Sequence, residues 1–404
     1  MRRSSVPVAG ILNNALRVLQ QPRYAHRLVA FELEKRLFNL RYPNSASGVA
    51  NAIRQIGFRI TDACQLRCHT CGQWGDNGYL PGLDLRALRD QEVPPDRYRA
   101  LLDDLHAKGH VPILYFWGGE PMLYPGLLDI VEHGARLGMP PTIATNGTRV
   151  ADAAERMVAA PMLLVQISVD GADATTHDQA RPAAGSAGSS FAEVCAAFER
   201  LHAVRRSRGA GLPMVVSLTT ISRRNYRDLA AIYDRFAALT DLQIYYLSWW
   251  IDPDGADAHD AEFHRRFDQP ATRPRSWVGD WSHFDYDELA CSLAALHRRA
   301  AGRRGTPVCV MPALAAATDL RRYYTEHSAT FGFTQCISIF QTPEVNSNGD
   351  LSPCRDYGDY VVGNVKEHTV TDLWNSDRYV RFRRSVAREG LMPVCARCCG
   401  LMGY

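Results

Sequence analysis

The chain has 404 residues, 46% hydrophobic and 22% charged, enough to bury a large core and unlike a disordered or fibrous protein. Its 46 basic and 43 acidic residues leave a formal charge of +3, which gives no electrostatic case for nucleic acid as a partner. No run approaches about eighteen apolar residues, and no secretory signal follows Met1-Arg2-Arg3, so a cytoplasmic chain is expected.

In that compartment the 11 cysteines point to metal or redox chemistry rather than to disulfides. Cys64, Cys68 and Cys71 form an N-terminal group, and Cys336, Cys354, Cys395, Cys398 and Cys399 a C-terminal one. Cys195, Cys291 and Cys309 lie between them and read as small buried hydrophobes.

Residues 1–50 read as a helical extension broken at Pro22. Ile11, Leu12, Ala15, Leu16 and Leu19 share one face of the first helix, and Leu28, Phe31, Leu37 and Phe38 suggest a stripe on the second. Packing on the main domain is expected. Many arginines surround the stripe, and the second reading is peripheral contact with a membrane or a lipid-like substrate.

Residues 51–251 alternate strand and helix. Strand-like runs are Gly57–Thr61, Pro112–Trp117, Pro141–Thr145, Leu163–Val169, Met214–Thr220 and Leu242–Ser248, with helical segments near 95–108, 125–138, 150–159, 190–207 and 225–238. That alternation predicts parallel pairing with right-handed crossovers, as an open sheet or as a partial barrel. In both, ligands gather at the carboxyl ends of the strands. Cys64, the Gly118-Gly119-Glu120-Pro121 segment, Asn146-Gly147 and the Ser168–Gly171 turn all fall on that rim.

Residues 252–330 are less regular and read as a linker or substrate-side insertion, with helices near 286–301 and 313–326. Asp252, Asp254, His259, His264 and Asp280 are its candidate substrate contacts, each weighed against a solvated surface role. Residues 331–404 form a small last domain with a hairpin turn at Asn348-Gly349.

Thiolates are soft ligands for zinc or iron–sulfur clusters. A structural zinc would need a fourth ligand beside Cys64, Cys68 and Cys71, and His69 is awkwardly placed inside the loop. A four-iron cluster on three thiolates leaves one iron for a chelating cosubstrate.

The Cys64-x-x-x-Cys68-x-x-Cys71 loop resembles the cluster motif of the radical S-adenosylmethionine (SAM) superfamily, and Gly118-Gly119-Glu120-Pro121 resembles its GGEP motif. The resemblance implies a partial (β/α)6 barrel and a 4Fe–4S cluster whose open iron binds SAM. It implies reductive cleavage of SAM to a 5′-deoxyadenosyl radical that takes a hydrogen from substrate, and a flavodoxin- or ferredoxin-type electron donor. GGEP then contacts the methionine amino group. Gly118 and Gly119 would let backbone approach that ligand, and Glu120 or backbone carbonyls would accept from the ammonium. Ser168 and Asp170, in Ser-Val-Asp-Gly, match a polar segment that touches SAM, and Asn146 and Asn225 are similar to polar residues near it. The family often has a bulky residue before the third cysteine; here it is Thr70, so Trp74 or Tyr246 becomes the candidate for adenine packing.

The order Cys336, Gly349, Cys354, Gly363-Asn364, Trp374, Cys395-x-x-Cys398 resembles the auxiliary-cluster domains of this superfamily, SPASM and the shorter twitch. The full SPASM pattern has more cysteines, so twitch, with four cysteines around one enclosed 4Fe–4S cluster, fits better, with zinc as the rival and Cys399 left over. The expected enzyme acts on a small-molecule or lipid-like substrate. A peptide-modifying maturase is the alternative, disfavoured because 50 helical residues are short for a leader-recognition module. A non-catalytic iron–sulfur or zinc protein is the reading from another class.

Overall fold

The structure, a computed structural model, describes residues 18–19, 22–41, 45–185, 188–248, 250–279, 285–302 and 305–398. Ile11, Leu12, Ala15, Leu16, Asp280 and Cys399 lie outside the described residues.

Among the described residues ten strands form one sheet: β1 (Gln55–Thr61), β2 (Ile113–Gly118), β3 (Pro141–Thr145), β4 (Leu164–Ser168), β5 (Met214–Ile221), β6 (Leu242–Leu247), β7 (Val308–Met311), β8 (Glu344–Val345), β9 (Asp350–Ser352) and β10 (Gly363–Asn364). Their spatial order is β10-β9-β8-β1-β2-β3-β4-β5-β6-β7. β1 to β7 pair in parallel, each with its successor, joined by helices as right-handed crossovers require. This is the partial barrel that the resemblance implied, with a seventh short strand, β7, paired to β6 from within residues 252–330. On the other side β8 pairs in parallel with β1, so the last domain is hydrogen-bonded into the barrel sheet.

The period-two alternation of a strand assigns the two faces. On β4, Val165 and Ile167 are buried while Gln166 and Ser168 are less so, and β6 alternates likewise with Tyr245 buried and Tyr246 partly exposed. The first set packs under the helices Val150–Ala159 and Ser190–Ser207, which carry the buried Met157, Phe198 and Leu201. The second set faces the concave side.

The β8–β9 hairpin turns at Asn348-Gly349 as expected. Gly349 has φ +92°, a left-handed conformation that costs glycine little, and Asn346 N–H donates to Asp350 O at 2.8 Å. Behind the hairpin, Arg383 of the helix Asp377–Glu389 is fully buried. It donates to Ile339 O and Asn375 Oδ1 and stacks on the Tyr379 ring, 3.8 Å from its centroid.

The N-terminal helix Pro22–Arg36 starts at its proline, where a missing N–H costs nothing. It packs on the main domain: Tyr24 donates to Pro161 O, Glu34 pairs with Arg54 at 2.6 Å, and Phe38 sits edge-on to Phe340. Leu37, predicted to face inward with Phe38, is 47% exposed, and Val29, Leu33 and Leu40 are exposed with it. Among the described residues no helix is long and apolar enough to cross a membrane.

Candidate functional site

The first site is built where β1 ends. The ladder between β1 and β2 shifts register between Arg59 and Thr61, so Thr61 stands opposite Gly118. From there the chain passes through Asp62 and Ala63 into the cysteine loop. Gly119 N–H donates to Thr61 O at 2.8 Å and Glu120 N–H to Ala63 O at 2.7 Å. A Cβ on Gly118 or Gly119 would collide with those same carbonyls. The two glycines therefore let the GGEP backbone lie against the cysteine-loop backbone, which is a different close approach from the ligand contact expected of them.

Glu120 is wholly buried and both carboxylate oxygens are used. They accept from Thr145 Oγ1 at 2.6 Å, Asn146 N–H at 2.7 Å and Met122 N–H at 3.0 Å. Burial still pushes its pKa up against those donors. Its carboxylate ties the β2 end to the β3 end. Pro121, itself buried, opens the turn Pro121–Leu123.

All three loop cysteines are partly buried and receive N–H donors. Leu66 N–H points at Cys64 Sγ (3.4 Å), those of Gln73 and Trp74 at Cys71 Sγ (3.3 Å each), and the Arg181 guanidinium at Cys68 Sγ (3.6 Å). Burial raises the Cys64 thiol to about 12 and the Cys68 thiol to about 11, Arg181 opposing the latter. The Cys64 and Cys68 sulfurs are thus neutral unless a metal displaces their protons, yet their donors are those an anionic sulfur wants. His69 does not join them; its Nδ1 lies 3.0 Å from Asp76. The set fits a cluster on three thiolates.

Arg181 went unnoticed in the sequence. Its Nε donates to Asp170 Oδ2 at 2.7 Å in a buried ion pair, and Asp170 Oδ1 accepts from Thr220 N–H at 2.8 Å. Asn225 is fully buried and bonds Asp170 O, Thr220 O and Ser222 N–H. Asp170 and Asn225 therefore brace the ends of β4 and β5, while Asn146 Nδ2 comes within 3.9 Å of Cys64 Sγ. Ser168 ends β4 on the same rim. Trp74 is unavailable for adenine: it is buried, donates to Asp62 O at 2.6 Å and lies under Arg67, 4.1 Å from its ring centroid.

A cavity of about 230 Å³ opens on the concave side of the sheet. Thr70, Gly72 and Gln73 of the loop form one wall; Tyr115, Trp117, Gln166, Leu218, Thr220 and Tyr246 rise from the strands. Leu247, Tyr79, Arg273, Trp277, Arg355 and Asp356 complete it. Trp277 packs on Gly72, and Arg355 stacks on Trp117 and Tyr115 at 4.8 and 5.2 Å. Of the residues proposed from 252–330, none lines this cavity among those described. Asp252 caps its helix and bonds His327, His259 is buried near Phe263 and Tyr357, Asp254 is exposed, and His264 lies 3.9 Å from Asp268.

The second site lies behind Asp356. Cys336, Cys354, Cys395 and Cys398 line one small cavity of about 20 Å³ with Ile339, Tyr357, Phe382, Val386 and Val394. Tyr357 OH is 2.9 Å from Cys395 Sγ, and Cys398 Sγ donates to Asp356 Oδ2 at 3.2 Å. Burial lifts the Cys395 thiol to about 12 and raises those of Cys336 and Cys354. Among the described residues no group of three or more His, Cys, Asp or Glu is placed to hold a single metal ion. Thiols in an apolar pocket suit an iron–sulfur cluster.

Two family models match where these sites lie: the radical SAM superfamily over residues 58–236 and the SPASM iron–sulfur cluster-binding domain over residues 336–399. The chain is a radical SAM enzyme with a SPASM domain. Its cofactors are accordingly a SAM-binding 4Fe–4S cluster, SAM and auxiliary iron–sulfur. An AdoMet-dependent heme synthase of Methanosarcina barkeri is 25% identical over 356 residues, covering 86% of this chain and 89% of that one. The mycofactocin maturase MftC of Mycobacterium ulcerans is 29% identical over 185 residues, 45% of each chain. Streptococcus suis SuiB bound to S-adenosylmethionine shares the fold, with a TM-score of 0.57 at 13% identity, covering 83% of this radical SAM chain and 68% of SuiB.

Proposed function

We propose that this enzyme takes a hydrogen atom from a small-molecule substrate seated in the 230 Å³ cavity, between the cluster loop and the auxiliary cysteines. The observation that carries the reading is the position of that cavity. One wall is the Thr70–Gln73 stretch of the loop, and the opposite side is Arg355-Asp356, directly after Cys354. The first cluster and SAM, when bound, supply a 5′-deoxyadenosyl radical.

In this reading Cys64, Cys68 and Cys71 hold the first cluster, and Cys336, Cys354, Cys395 and Cys398 hold one auxiliary cluster. Arg181 offsets negative charge at Cys68, with Asp170 fixing its orientation. Backbone carbonyls of Gly118–Pro121 receive the SAM ammonium, with Asn146 and Ser168 beside it on the rim. Asp170 and Asn225 keep the β4 and β5 ends in register under it. The aromatic walls exclude water from the radical's path, and Tyr246 is the ring left to pack adenine. Alignment with a heme synthase over most of both chains favours a small molecule. The second reading, peptide modification, is favoured by the likeness to MftC and to a PqqA peptide cyclase of Streptomyces rochei, each over under half of this chain.

The test is anaerobic. Cluster-loaded protein with a reductant and SAM is expected to form 5′-deoxyadenosine, and deuterium from the correct labelled substrate should appear in it. A chain with an intact first cluster that forms no 5′-deoxyadenosine would overturn the proposal.

A further inference from the structure

Arg273 stands in the wall of the large cavity and enters no part of the cluster sites. Its guanidinium donates to Asn346 Oδ1 at 3.0 Å and stacks on Tyr79, 5.1 Å from the ring centroid. Asp359 accepts from its backbone N–H, not from the guanidinium. Among the described residues no carboxylate lies within ion-pair distance of that guanidinium. Burial and the charge of Arg59 hold its pKa below the ordinary arginine value, while Asp359 and Asp62 attract it from beyond ion-pair distance, so the half-buried charge has no direct carboxylate partner. A cation partly withdrawn from water is normally paired.

Arg355 brings a second guanidinium to the same cavity, between the rings of Tyr115 and Trp117 and near Glu344. The acid on the cavity wall is Asp356, whose carboxylate already accepts from Cys398. Tyr79, Tyr115, Trp117, Tyr246 and Trp277 supply ring faces around these charges.

We infer that the substrate carries an oxyanion, carboxylate or phosphate, on an apolar ring-bearing body, and that Arg273 receives the oxyanion with Arg355 beside it. A guanidinium matches either oxyanion with two parallel hydrogen bonds. The aromatic walls take the body and hold it facing the cluster loop. This rests on the reading of the cavity as the substrate site.

Binding of simple probes tests it. Calorimetric titration of the cluster-loaded enzyme, saturated with SAM and without reductant, would compare benzoate, phenyl phosphate and neutral benzamide. One anion should bind at least about tenfold more tightly than benzamide, the scale of a hydrogen bond to a charged group. Whichever anion binds more tightly assigns carboxylate or phosphate. Arg273→Gln should abolish the preference and Arg273→Lys retain part of it. Equal binding of benzamide, no binding of either anion, or a preference that survives Arg273→Gln would overturn the inference. The comparison on the unaltered chain needs no variant to fold. An enzyme that forms 5′-deoxyadenosine but lacks the anion preference loses only this inference. One that prefers anions yet cannot cleave SAM loses the proposed reaction instead.

Discussion

At the N-terminal loop, Cys64, Cys68 and Cys71 face backbone N–H groups and a guanidinium. At the C-terminal site, four thiols line an apolar pocket whose polar neighbours are a phenol and an acid. The loop is partly open, with its neighbour Thr70 shared between the large cavity and a second one of about 210 Å³ that also touches Cys71. The pocket is smaller and its lining almost wholly apolar. Donors to sulfur favour an added electron, and burial beside a carboxylate opposes it. In the proposed reading, the difference separates a site that exchanges a ligand and receives an electron from one that retains its metal.

The largest effect that can break this comparison is loss of the open site. Cys68→Ala should lower 5′-deoxyadenosine formation by about a thousandfold or more, because the radical chemistry has no other source. Anaerobic product analysis checks it. Cys354→Ala should instead lower iron from about eight to about four per chain, with SAM cleavage in the absence of substrate falling less than about tenfold. Iron analysis beside product analysis would show it, and about four irons in the unaltered chain would remove the auxiliary cluster from the comparison.

Arg181→Met strands the buried Asp170 carboxylate, and loss of one partner of such a pair costs about 3–5 kcal/mol. Removing a positive charge beside Cys68 should also move the first cluster's reduction potential to more negative values, as an EPR-monitored redox titration would read. The smallest effect concerns Glu344, which lies between the two sites and accepts from Trp117. Burial raises its pKa to about 7, against the pull of Arg355 and the Trp117 bond. Between the ordinary carboxyl value and about 7 the folded chain keeps a proton that the unfolded chain releases. Stability therefore falls as pH rises through that window, by roughly 3 kcal/mol. Glu344→Gln should flatten the slope between pH 5 and 8 in urea midpoints.

Much of this was legible in sequence because it is local. The cysteine loop, GGEP after the second strand, the Asn348-Gly349 turn and the terminal cysteine pair are each written in a few adjacent residues. Arg181 was not, since its partners Asp170 and Cys68 meet it only through the fold. Arg273 lies in the irregular stretch after the barrel and reaches the cavity by stacking on Tyr79, a contact no spacing encodes. Glu120 and Asn225 illustrate the opposite case. Their motifs were visible, but only the hydrogen bonds reveal that their side chains hold strand ends together. Trp74 had the right ring for adenine, and burial under Arg67 removed it.

The pairing of β8 with β1 has a consequence for how the chain matures. The strand that leads into the first cysteine loop has its outer edge covered by Glu344 and Val345, which a ribosome makes long after it. Until they emerge, that edge exposes unpaired backbone and is open to wrong partners. Such a distant pairing is slow to form. The loop thus gains its final support only once synthesis has passed Val345, which places firm seating of its metal well after the cysteines themselves have emerged.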